Sequence, residues 1–260
     1  MTSFVIVFLA AQAAYQMPTA SALVPPSPAA AVADNPRVMA DRNAALTNEL
    51  RGDIMMARKL YKDAIDFYKR EAGKSAVMAN KVGIAYHQLG DLDNAKKFYD
   101  KAVKLDRKYP EALNNLGTIH YARKSYDNAI KNYQRALVLT PNAASVWTNL
   151  GTAFFGKKKY EQAVQAYMYA MQLDPEVFER RGSNGVMLQE RSVDEKALYY
   201  FTLAKSYAQH GDIDRTLRYV RFALENGFKE RERFTNEPEF ATIQENEQFR
   251  ELLAMEYKVL

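Results

Sequence analysis

Three histidines, His87, His120 and His210, are the only imidazoles in this 260-residue chain. They show no HExxH or comparable spacing, so they form no local metal motif. The chain has no cysteine, which removes disulfides, thiolate nucleophiles and Cys-rich metal sites. Asp91 and Asp93 have the side chains for a general acid and base pair. However, Gly90-Asp91-Leu92-Asp93 returns as Gly211-Asp212-Ile213-Asp214, which favours a turn written twice over a catalytic pair. No phosphate-cradling glycine loop or nucleophile elbow occurs, so the sequence offers no catalytic residue, no metal site and no cofactor site. Arg180 and Arg181, with Gly182 and Gly185 allowing close backbone approach, could meet an acidic partner or phosphate. The alternative is a solvated loop whose Val186, Met187 and Leu188 tuck against the neighbouring structure.

The elements that would position these groups are written as a repeat. Leu116-Gly117 recurs as Leu150-Gly151, Tyr126 as Tyr160, Ala129 as Ala163, Tyr133 as Tyr167, Ala136 as Ala170 and Pro141 as Pro175. Apolar and small residues fall at helical spacing from Glu111 to Arg123 and again from Tyr126 to Leu139. The joint at Lys124 and Ser125 is so short that the second helix must return antiparallel. Gly117 and Ala129 are expected where helix backbones approach closely, Tyr126 and Tyr133 in the wider gaps, and Pro141 at the opening of the next helix. Trp147 reads as a wedge between helices, with a binding aromatic as the alternative.

The same unit extends both ways. Gly52, Gly83, Gly117 and Gly151 are each followed by an alanine at the same distance: Ala64, Ala95, Ala129 and Ala163. The first copy, Asn43 to Gly73, is irregular, because Glu71 stands where Ala102, Ala136 and Ala170 stand later, so a short second helix is expected. A fifth hairpin is read over Asp194 to Asn226, with Thr216 in place of the usual alanine and Val220 in place of the aromatic. Glu176 to Val193 is then an insertion. Two short helices, Pro238 to Glu245 and Asn246 to Tyr257, would cover the last hairpin, with Glu247, Glu251 and Glu256 on the outer face.

Trp147-x2-Leu150-Gly151-x2-Phe154, followed by Ala163-x3-Tyr167 and Pro175, resembles the tetratricopeptide repeat (TPR) family over roughly Asn43 to Asn226. The resemblance implies an all-α, right-handed superhelical solenoid of TPR helical hairpins with a C-terminal helical cap. It also implies a noncatalytic scaffold that receives a protein or peptide in a concave groove lined by the first helix of each hairpin. Carried onto this chain, the groove positions are Asn80, Ile84, His87 and Gln88, then Asn114, Asn115, Thr118 and Tyr121, then Thr148, Asn149, Thr152 and Phe155. Asn and Thr would bond a peptide backbone, and Tyr121 and Phe155 would hold an apolar anchor. A TPR subclass clamps a terminal carboxylate with Lys and Asn, but Glu49 and Asp53 stand at those places here and would repel one.

Residues 1 to 33 carry no charge, and the first Lys or Arg is Arg37. Phe4 to Ala11 is apolar but too short to cross a bilayer as a helix, and Ala20-Ser21-Ala22, or Ala11-Gln12-Ala13, would serve as a small-x-small cleavage site. The expectation is a signal peptide over 1–22 and a Pro/Ala-rich linker over 23–42, ahead of the solenoid at 43–226 and the cap at 227–260. Mature protein would then be periplasmic or secreted. A membrane-retained anchor, or an unstructured tail on a cytoplasmic protein, is the alternative. The net charge of +5, from 36 Lys and Arg against 31 Asp and Glu, is dispersed rather than concentrated, which gives no strong nucleic-acid signal. The leading expectation is a protein-interaction scaffold, with an accessory subunit of an envelope enzyme or polysaccharide-processing complex as the alternative.

Overall fold

A computed structural model describes residues 46–179 and 192–257. The leader 1–22, the linker 23–42, Arg180 and Arg181 lie outside the described residues. Every regular element among the described residues is helical. They fall into two compact units that meet in sequence at Leu105 and Asp106.

The first unit holds two antiparallel hairpins, α1 (Asn48–Ala57) with α2 (Tyr61–Lys69) and α3 (Ala76–Gln88) with α4 (Leu92–Leu105). As expected, α2 is short, at 9 residues against 14 in α4. Glu71 is exposed, and Ala72 is buried in the turn that follows. The second unit holds three hairpins: α5 (Pro110–Ala122) with α6 (Tyr126–Leu139), α7 (Ala144–Gly156) with α8 (Tyr160–Leu173), and α9 (Val193–His210) with α10 (Ile213–Glu225). Helix α6 also packs on α7, and α8 on α9, so the three hairpins stack in series.

Helix starts follow from short polar side chains that satisfy otherwise unpaired backbone donors. Thr47 and Ser75 accept from Leu50 and Met78 amides at 3.2 Å, and Ser192 forms a reciprocal capping box with Glu195. Asp91, one of the two carboxylates of the Asp91 and Asp93 pair, and its counterpart Asp212 accept the Asn94 and Arg215 amides at 3.0 Å. The Asn94 side chain and backbone hold Asp91 below the usual carboxylate range. They are turn residues.

Each hairpin turns through one residue at positive φ: Gly90 and Gly211 in two of them, Lys59, Lys124 and Lys158 in the other three. The anchor glycines lie under rings of the returning helix. A Cβ built on Gly83, Gly117 or Gly151 would lie 2.6, 2.6 and 2.5 Å from the ring of Tyr99, Tyr133 or Tyr167 on the returning helix, and Gly52 faces Tyr68 in the same way. Glycine supplies room for a ring here and, at Gly151, for approach of the two backbones as well, since a Cβ there would lie 3.2 Å from the Ala163 carbonyl. Pro141 departs from expectation. It precedes α7 by three residues rather than opening it, and its carbonyl accepts from Trp147 Nε1 at 2.8 Å.

In the fifth hairpin Ala204 occupies the glycine place, Thr216 the alanine place and Val220 the tyrosine place, and all three are fully buried. Thr216 satisfies its hydroxyl on the Asp212 carbonyl at 2.6 Å. Beyond α10 come the short α11 (Arg233–Asn236), a 3₁₀ turn over Pro238–Ile243 and α12 (Glu247–Ala254). The 3₁₀ turn packs on α9 and α12 on α10, covering the last hairpin. Phe201 of α9 stacks on Phe228 with centroids 4.4 Å apart and meets the Phe234 ring at 5.0 Å, while Glu247, Glu251 and Glu256 stay exposed.

Candidate functional site

The residue after each anchor glycine decides what happens to the tyrosine hydroxyl that reaches it. Thr118 accepts from Tyr133 Oη at 3.3 Å, and Thr152 lies 3.3 Å from Tyr167 Oη. Both threonines also donate to a carbonyl of their own helix, at 3.2 and 2.9 Å. In the first hairpin Asp53 takes the same place and accepts from Tyr68 Oη at 2.6 Å. In the second the place belongs to Ile84, and the buried Tyr99 hydroxyl has no hydrogen-bond partner among the described residues. Thr118 and Thr152 therefore work inside the hairpins, where a carbonyl and a phenol occupy them.

The amides behave differently. Asn149 Nδ2 on α7 donates to Asn114 Oδ1 on α5 at 3.0 Å, linking the first helices of two successive hairpins. Asn114, Asn115, Asn149 and Tyr121 are each half-buried and so retain solvent-facing surface, as a groove wall requires. Thr148, Thr152 and Phe155 are buried, and Phe155 meets Tyr199 edge-on at 5.5 Å. The adjoining face of α9 is closed by the C-terminal segment. There Lys205, buried at 8% exposure, pairs with Glu237 at 2.8 Å and Glu239 at 3.3 Å. Open surface on this row of first helices is thereby concentrated on α5 and α7.

In the first unit Ile84 and Gln88 are half-buried, whereas Asn80 and His87 are buried. Burial pulls the His87 imidazole down to about 4, so the ring is neutral near pH 7, and it lies edge-on to Tyr99 at 6.4 Å. Glu49 and Asp53 are not a bare acidic pair. Lys81 Nζ lies 2.7 Å from each. Burial lowers the Lys81 pKa, but the hydrogen bonds that its ammonium donates to Asp53 and Glu49, with their negative charge, outweigh it and leave it raised.

One feature of the surface is not legible in the repeat pattern. A 620 Å³ pocket opens between α6, α7 and α8, with Leu137, Val138, Trp147, Leu150, Phe154 and Tyr169 among its lining. Trp147 stacks on Tyr169 at 4.9 Å and is half-buried, so it neither wedges fully between helices nor stands free. Val138 is 82% exposed. An apolar residue at a surface position of α6 was the available signal, but single exposed apolar residues are common.

Models of the TPR repeat match residues 83–123 and 117–158, and a further tetratricopeptide repeat model matches 144–177. The chain carries tetratricopeptide repeats. Tetratricopeptide hairpins are noncatalytic units that bind proteins or peptides, and the matched residues span α5 and α7 in full. No curated protein matches the chain. Among solved structures, a crystal structure of MamA matches at 23% identity and TM-score 0.50, over 67% of this chain and 93% of that one. A second crystal structure of MamA protein matches at 22% and 0.50, over 73% and 93%. The first TPR of Spaghetti (RPAP3), bound to an HSP90 peptide, matches at 24% identity and TM-score 0.40, over 44% and 89%. At these identities the likeness concerns the fold.

Proposed function

We propose that the tetratricopeptide surface of α5 and α7 binds an extended or helical peptide of a partner protein, with Asn114, Asn115, Asn149 and Tyr121 making the contacts. The observation that carries this reading is the Asn149 to Asn114 hydrogen bond at 3.0 Å between half-buried amides. It fixes both side chains while leaving donors and acceptors for a peptide backbone. No Lys, Arg, Asp or Glu belongs to this set, so the affinity should survive about 0.5 M salt, where exposed charge pairs are screened.

The test is titration with a peptide selected for binding to the full chain, with circular dichroism as the folding control. Asn115→Ala with Tyr121→Ala should weaken it at least about tenfold, or about 1.4 kcal/mol. A second reading places the peptide in the apolar pocket beside Trp147, favoured by the exposure of Val138. Loss of binding in Trp147→Ala with Tyr169→Ala, and wild-type binding in the first variant, would move the site there. Loss only in Arg180→Ala with Arg181→Ala would move it to the insertion. Export through the uncharged leader belongs to the same proposal, together with service in an envelope complex. Recovery of intact Met1 from the soluble cytoplasmic fraction of the native host would remove both.

A further inference from the structure

Positive φ is strained for lysine because its Cβ crowds the backbone, and glycine occupies that turn position without this cost in two hairpins of the chain, at Gly90 and Gly211. Lys124 and Lys158 accept the strained conformation in the two successive hairpins of the second unit. They do not stand alone. Arg123 and Lys124 in one turn, and Lys157, Lys158 and Lys159 in the next, are all exposed.

The two turns are fastened together. Tyr126, at the start of α6, lies where a Cβ on Gly156 would come within 2.7 Å of its ring, so glycine at the end of α7 lets one turn seat on the other. Asp127 and Lys157 form an ion pair across the same junction. Lys124, Lys158 and Lys159 pair with no carboxylate among the described residues. Asp127 and Glu161 are the acidic residues of these two turns and the helix starts that follow them. The joint that connects these two hairpins, Thr140 to Ala143, carries none of this charge.

We infer that this basic rim, Arg123, Lys124, Lys157, Lys158 and Lys159, is a second docking surface, and that its partner is an acidic protein segment rich in Asp and Glu. Four of the five cations are lysines, which act as point charges on flexible stems and suit a carboxylate chain of loose geometry. The neighbouring rings pair with one another, Tyr121 with Tyr126 at 5.6 Å and Tyr160 with Phe155 at 5.4 Å, rather than forming a row of parallel platforms on which successive nucleic-acid bases would stack. Nor does the rim carry a large exposed apolar side chain that could enter a bilayer, and a polybasic patch alone anchors a protein to a membrane only weakly.

The test titrates the full chain with a labelled peptide composed of Asp and Glu, in parallel with vesicles containing an anionic lipid and with a single-stranded oligonucleotide. The peptide should bind, and raising salt from about 0.05 M to about 0.3 M should weaken it at least about tenfold through screening. Lys124→Glu with Lys158→Glu and Lys159→Glu should abolish binding while the helical circular dichroism stays the same. Lys124→Gly with Lys158→Gly should raise the melting temperature and weaken the peptide severalfold, two opposite effects that a purely structural role would not produce together. Peptide binding unchanged in these variants would overturn the inference. Tighter binding to vesicles or to the oligonucleotide than to the peptide would overturn the choice of partner. A groove variant away from these turns, such as Asn115→Ala with Asn149→Ala, leaves this titration untouched, so the rim and the groove fail independently.

Discussion

The second and fourth hairpins solve the same packing problem with one residue exchanged. Both place a glycine under a tyrosine ring, but Thr152 lies within hydrogen-bonding distance of the Tyr167 hydroxyl, whereas Ile84 leaves that of Tyr99 buried and unpaired among the described residues. The fifth hairpin changes the packing itself: Ala204 brings a Cβ, and Val220 replaces the ring that the Cβ would strike. Glycine and tyrosine thus form one unit on two helices, and the hydroxyl is a separate matter settled by the residue after the glycine. An unpaired buried hydroxyl costs free energy that an apolar ring of the same shape would not.

The largest expected effect tests the apolar character of the second hairpin. His87 has a folded pKa depressed by burial to about 4, below its unfolded value, so its contribution to stability is complete above that unfolded value. As pH falls, the unfolded chain takes up a proton that the folded one refuses, and stability is lost between about pH 6.5 and pH 4, on the order of 3 kcal/mol. Denaturant unfolding across that range measures it. His87→Gln should flatten this limb, and an unchanged limb would show that His87 is not held neutral.

Gly117→Ala should cost about 2 kcal/mol, because its new Cβ meets the Tyr133 ring. Adding Tyr133→Val reproduces the arrangement of the fifth hairpin and should recover part of that loss. Strict additivity of the two changes in a double-mutant cycle would dissolve the proposed unit. The smallest effect concerns the hydroxyl alone. Tyr133→Phe should cost about 1 kcal/mol, while Tyr99→Phe should be neutral or stabilising, since only the first loses a partner. Ile84→Thr should then make the second hairpin resemble the fourth, and Tyr99→Phe in that background should become costly. Melting curves of these variants report the sign directly.

The positions of the hairpins were legible because small residues, aromatics and turns recur with helical periodicity. The fifth hairpin, read as Asp194 to Asn226, appears as Val193–His210 and Ile213–Glu225. The candidate surface was legible only in part. Asn114, Asn115, Asn149 and Tyr121 keep exposed area, but Thr118 and Thr152 have their hydroxyls engaged on a helix carbonyl and a tyrosine, and Thr148, Phe155, Asn80 and His87 are buried. A repeat register gives the direction in which a side chain leaves its helix. It does not say which neighbour arrives to meet it.

That division has a physical origin. Helix period, turn chemistry and the spacing of small residues are local, so the chain determined by itself that it would form helical hairpins, where each would turn, and that it held no metal motif of the usual spacing. The matches between helices were decided only in three dimensions: a Tyr133 ring on Gly117, a hydroxyl on Thr118, a Lys81 answering Glu49 and Asp53, and a Trp147 left beside an open pocket. Each depends on atoms brought together by packing, and identical side chains at equivalent positions, such as Tyr99 and Tyr133, differ in their chemistry because one neighbouring residue differs.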